Sequence, residues 1–160
     1  MSSHHPPRLN DEEEVDIEKL VEEFEEFCSS DALSIDLLKE WLKVFPLVDA
    51  VADSVFLHNA CCNEQVTLEI IETLLDFYPG AVRVQADGLP DREAIRNNVY
   101  PLHFACYYDS CPSSVIQLLI QKFNSALRYD CVIDNGVTTC DVYDGASGLP
   151  IHYYFTSMRE

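Results

Sequence analysis

A chain of 160 residues with 48% apolar side chains is about one domain long and can bury a sizeable core without staples. Ten Lys and Arg against 28 Asp and Glu leave a formal net charge of −18, which repels phosphate backbones and anionic lipid heads and argues against nucleic acid and membrane surfaces as partners. The apolar runs fall far below the roughly 18–20 residues that span a bilayer, and seven cysteines at irregular spacing, with no Asn-x-Ser/Thr acceptor and no signal-like leader, do not read as a secreted disulfide framework. The expectation is a protein of the cytosol or nucleus with reduced thiols.

In chain order, residues 1–11 read as a disordered polar leader and residues 12–160 as one repeat domain. The segment DEEEVDIEKLVEEFEE, residues 11–26, holds ten acids and one lysine and makes one end of the molecule strongly negative. Within it Ile17, Leu20, Val21, Phe24, Phe27 and Cys28 recur at helical spacing, one apolar stripe with glutamates on the other faces. LLKEWLKVFP, residues 37–46, is the second helix of the first unit, with Trp41 on its buried side.

Displacing the sequence by 45 residues lays LHNACCNEQVTLEIIETLLDFYPGAVR, residues 57–83, on LHFACYYDSCPSSVIQLLIQKFNSALR, residues 102–128, without a gap. His58 falls on His103, Ala60 on Ala105, Cys61 on Cys106, Leu74 on Leu119 and Arg83 on Arg128. A displacement of 33 lays residues 37–46 on 70–79, bringing Trp41 onto Leu74. GLPIHYYF, residues 148–155, restarts the pattern at Pro150, Ile151 and His152. The units are then 12–48, 53–98, 99–147 and a partial 148–160.

Two helices per unit, a base period of 33, and YPLHFAC and GLPIHYY in place of Thr-Pro-Leu-His-x-Ala resemble the ankyrin repeat family. The resemblance implies an all-α helical solenoid of about three and a half helix-pair units with long connecting fingers. It implies that Pro opens the first helix, that Leu and Ala (Ala60, Ala105) enter the core, and that His58, His103 and His152 tie adjacent turns by hydrogen bonding. The units depart from the family in length, 45 residues or more, and Phe56 stands where the first Pro would be. One finger, CVIDNGVTTC at residues 131–140, reads as a β-hairpin, because Asn-Gly between β-branched runs favours a two-residue turn. Cys131 then faces Cys140 within disulfide reach, with free thiols favoured in a reducing compartment.

His58 with Cys61, and His103 with Cys106, form His-x-x-Cys, which on a helix puts nitrogen and sulfur on one face. Each unit offers two ligands, and Phe155 follows His152 where a third cysteine would be needed, so the structural role explains the repetition better than metal binding. No nucleophile elbow, glycine-rich phosphate cradle, His-Glu-x-x-His or paired Cys-x-x-Cys occurs, so no enzymatic activity and no cofactor are expected. The leading expectation is a protein–protein interaction scaffold that binds through its concave helix face and fingers. The contact residues expected are Tyr107 and Tyr108, which the resemblance exposes on the concave side and which otherwise cover the core, and the finger residues Arg92, Arg96, Asp134, Asn135 and Tyr143. A basic partner would be attracted to the acidic first helix, and the aromatic C-terminal end, Tyr153, Tyr154 and Phe155, suits self-association or a longer array. The alternative is a metal-binding or thiol redox-sensing protein using His58, Cys61, His103, Cys106, Cys131 and Cys140.

Overall fold

The first helix, α1 (Ile17–Ser29), starts where Asp16 accepts the Lys19 N–H at 3.2 Å, satisfying one of the amides that a helix start leaves unpaired. Its stripe carries Leu20, Phe24, Phe27 and Cys28 into the core, while Ile17, at the helix start, stands 48% exposed. The computed structural model describes residues 6, 16–44, 51, 53–86, 95–96, 99–108, 110–128 and 132–133. Five further α-helices follow: α2 (Ile35–Val44), α3 (Phe56–Cys62), α4 (Leu68–Phe77), α5 (Pro101–Tyr107) and α6 (Ser113–Lys122). The fold of the described residues is thus dominated by helices.

Each start has a local cause. Thr67 caps α4 by accepting the Ile70 N–H at 3.3 Å. Pro101 occupies the first turn of α5, where its missing N–H costs nothing and its fixed φ suits a helix. α4 stops at Phe77, and Pro79 opens a 3₁₀ turn, Pro79–Arg83. The same turn recurs 45 positions later as Asn124–Arg128, in the register read from the sequence.

The helices pack in two rows: α1 touches α3 and α3 touches α5, while α2 touches α4 and α4 touches α6. Cross-packing of α3 with α4 and of α5 with α6 joins the rows. Between α1 and its neighbours lies an aromatic cluster, with Phe24 5.7 Å from Trp41 and 5.4 Å from Phe56, and Phe27 5.7 Å from Trp41, ring centroid to centroid. Trp41 is 1% exposed. Burial of each such large side chain contributes about 1.5–3 kcal/mol, which short helices of seven to ten residues need because they are marginal alone.

The long connector between α4 and α5 is closed at its base, where Ala86 donates its N–H to the Val99 carbonyl at 2.8 Å in an antiparallel bridge. Further out, Ile95–Arg96 pairs antiparallel with Val132–Ile133, with Ile95 opposite Ile133 and Arg96 opposite Val132. The first strand of the expected hairpin therefore pairs with the preceding connector. The Asn135-Gly136 turn, with Asp134, Cys131, Cys140 and Tyr143, lies outside the described residues, as do Arg92, His152 and the C-terminal partial unit. No helix among the described residues is long and apolar enough to cross a membrane.

Candidate functional site

The two repeated histidines, His58 on α3 and His103 on α5, are both fully buried. On the first turn of α5, the His103 Nδ1 accepts the Tyr100 backbone N–H at 3.1 Å, so the ring caps its own helix. On α3, the His58 Nε2–H donates to the Val99 carbonyl at 3.0 Å, across 41 residues. Val99 also receives the Ala86 N–H, so His58 braces the base of the connector from below. Phe104 of α5 stands edge-on to the His58 ring at 5.0 Å. The two histidines are therefore not equivalent, although they coincide in the repeat.

Their difference begins with Glu25. The N–H of Val55, at the start of α3, donates to the Glu25 Oε1 at 2.8 Å, and a carboxylate of α1 thereby takes the amide that His103 receives in the next unit. The His58 Nδ1 is left buried without a hydrogen-bond partner. Burial pushes the His58 pKa down to about 4, with nearby His103 adding to the effect and the Val99 carbonyl opposing it. A ring held neutral this way is a structural bond donor and a poor general base near neutral pH.

A second strap joins α1 to α3. The Asn63 Nδ2 group donates to the Cys28 carbonyl at 3.0 Å and to the Ser30 carbonyl at 2.8 Å, capping the C-terminal end of α1 from the neighbouring unit. Its Oδ1 accepts the Gln65 N–H at 2.8 Å, closing the turn into α4. Asn59 adds a third tie, donating from Nδ2 to the Glu25 carbonyl at 3.3 Å. The sequence reading passed over Glu25, Asn59 and Asn63. The available signal was a polar residue at the end of a seven-residue helix, two positions before Gln65.

The thiols are placed for packing. Cys28, Cys61, Cys106 and Cys111 are buried and Cys62 is partly exposed, all as free cysteines. Cys61 hydrogen-bonds with the Cys111 thiol; that contact and burial push its pKa well up, burial raises Cys106 to about 12, and Cys28 is likewise raised by burial and by Glu25. Thiols that stay protonated are weak nucleophiles and weak metal ligands. The structure does not set His58 and Cys61, or His103 and Cys106, as metal edges: His58 engages Val99, His103 engages Tyr100, and Cys61 engages Cys111. Among the described residues no group of three or more His, Cys, Asp or Glu is placed to hold a metal ion.

Tyr107 and Tyr108, at the end of α5, are half-buried, lie against the core and meet edge-to-face at 5.1 Å. Each thus has a packed face and an accessible part, and Tyr108 also approaches Phe104 at 6.4 Å. Arg96 is placed by its backbone on the paired strand, and Ala60 and Ala105 are buried where α1, α3 and α5 approach one another. No family model, curated protein or solved structure matches the chain.

Proposed function

We propose that this chain is a non-enzymatic protein-interaction scaffold of ankyrin-like repeats. The observation that carries the reading is the row order of the helices, α1–α3–α5 beside α2–α4–α6, with side chains of one unit bonded to the backbone of the next: His58 to Val99, Asn63 to Cys28 and Ser30. Stacked helix pairs that contact only their neighbours form an extended surface on a rigid frame, the arrangement in which binding is distributed over exposed helix positions and connectors. The paired connectors at Ile95–Arg96 and Val132–Ile133 support a row of linked fingers, and the Asn-Gly hairpin would continue it.

In this reading Tyr107 and Tyr108 are central partner contacts, since tyrosine offers large contact area at small entropic cost, and the fingers supply Arg92, Arg96, Asp134, Asn135 and Tyr143. The acidic α1 attracts basic surfaces at one end, in the cytosol or nucleus. The polar groups brought together so far, buried histidines and protonated thiols, favour scaffolding over metal or thiol redox chemistry. The test is affinity purification of the full chain from its source cell, with stoichiometry by mass spectrometry. A stoichiometric protein lost on Tyr107→Ala/Tyr108→Ala substitution is expected. Bound zinc with no protein partner would turn the assignment to the metal alternative.

A further inference from the structure

Where the turn after α4 meets the end of α6, an open cleft of about 380 Å³ is lined by Leu75, Pro79, Gly80, Val82, Arg83 and Lys122. Its volume lies at the low end of the ~300–1,000 Å³ that ligand pockets occupy, room for one apolar side chain and its flanking groups. The lining is apolar apart from two cations and contains no acid. The Arg83 guanidinium lies over the Phe123 ring, 5.5 Å from its centroid, and Lys122, the residue before Phe123, lines the same cleft.

The local charge is unlike that of the chain. Lys19, Lys39 and Lys43 each meet a glutamate, whereas Arg83 and Lys122 make no ion pair among the described residues. Residues 16–44 carry nine acids and three bases, residues 68–83 three acids and one base, and residues 99–128 one acid and two bases. The cleft thus presents two cations and no acid in its lining, with Asp76, next to Leu75, outside it, on a molecule of net charge −18.

We propose that this cleft binds an acidic peptide segment of a partner protein, with a carboxylate on Arg83 and Lys122 and an adjoining apolar side chain against Leu75, Pro79 and Val82. The inference rests on the scaffold reading and gives it a second contact surface, with a partner chemistry opposite to that attracted by α1. Arginine's planar fork pairs with a carboxylate through two parallel hydrogen bonds, and lysine adds a point charge. A free dianion would leave the apolar wall unused.

The test is fluorescence anisotropy of a fluorescein-labelled peptide, Asp-Glu-Leu-Asp-Glu-Phe-Asp-Glu, titrated with the full-length protein at 50 and 150 mM salt. Saturable binding is expected that weakens at the higher salt. It falls at least tenfold in Arg83→Glu/Lys122→Glu and about threefold or more in Arg83→Gln. Both side chains are exposed, so the variants should stay folded with at most the small midpoint loss that the Arg83–Phe123 contact accounts for, which is measured alongside. The same peptide with Ser for Leu and Phe should bind about fivefold or more weaker. No saturable binding, or equal binding by the charge-reversed protein, overturns the proposal. So does equal binding of the Ser peptide with full displacement by millimolar inorganic phosphate, which marks a small-anion site, or a concentration-dependent dimer abolished by the reversal, which marks self-association. A native protein partner retained undiminished by Arg83→Glu/Lys122→Glu overturns the cleft and leaves the scaffold reading standing.

Discussion

Replacing Asn63 by Ala should be among the most costly single polar substitutions in the chain. The side chain makes three hydrogen bonds of 2.8–3.0 Å, two of them to the Cys28 carbonyl of α1 and the carbonyl of its C-cap Ser30, and one closing its own turn. Losing the bonds to Ser30 and Gln65, which are not fully buried, costs about 1 kcal/mol each, while stripping the Cys28 carbonyl of its donor in a buried setting costs about 1–3 kcal/mol. The total, about 3–5 kcal/mol, is a large share of the roughly 5–15 kcal/mol that holds a domain together. Urea unfolding followed by far-UV circular dichroism measures it as a drop in midpoint at unchanged slope. Asn63→Asp sharpens the test: it keeps the acceptor for Gln65 but turns a carboxylate toward two carbonyl oxygens, so it should cost at least as much as Ala. A loss below about 1 kcal/mol for Ala, or an Asp variant as stable as wild type, would refute the strap between α1 and α3.

Three other outcomes follow from the same geometry. His58 has its folded pKa lowered to about 4 from 6.5, so the unfolded chain binds more protons between these values; the stability from the neutral ring is complete above pH 6.5 and is lost as pH falls through 4, about 3 kcal/mol in all. Denaturant midpoints at pH 7 and pH 4 should therefore converge in His58→Gln relative to wild type, and an unchanged pH slope would contradict the buried neutral ring. Glu25→Ala removes the acceptor of the Val55 N–H and should cost about 1–2 kcal/mol, Glu25→Gln distinctly less; equal losses would mean that the hydrogen bond is not what matters. Maleimide labelling of the native protein with peptide mapping should modify Cys62 before Cys28 and Cys61, and first reaction at Cys61 would count against its placement in the core.

The helices were legible because burial imposes a period. Leu20, Phe24, Phe27 and Cys28 announce one face of α1, and the 45-residue register foretold that the turn at Pro79 would recur at Asn124. What the register could not tell is how two matched residues differ. His58 and His103 coincide in the repeat, yet Glu25, 30 residues before Val55, takes the Val55 amide ahead of His58, whereas the matching Tyr100 amide goes to the His103 ring itself. Asn63 falls opposite Tyr108 in the 45-residue register, so comparison of units had no way to mark it. Arg83 and Lys122 are 39 residues apart and share a rim only because α4 packs on α6. Ile17 kept the helical spacing but sits at the helix start, where periodicity does not guarantee cover. Metal edges were suggested by His-x-x-Cys spacing alone, which ignores the backbone groups that the rings meet after folding.

Hydrogen exchange of the full chain with and without its purified partner tests the interaction account most directly. The account predicts amide protection that runs from the end of α3 through Tyr107 and Tyr108 to the connector strand at Ile95–Arg96, and that does not arise when the same partner is added to Tyr107→Ala/Tyr108→Ala. Protection absent from all of these segments, with the partner bound, would contradict it.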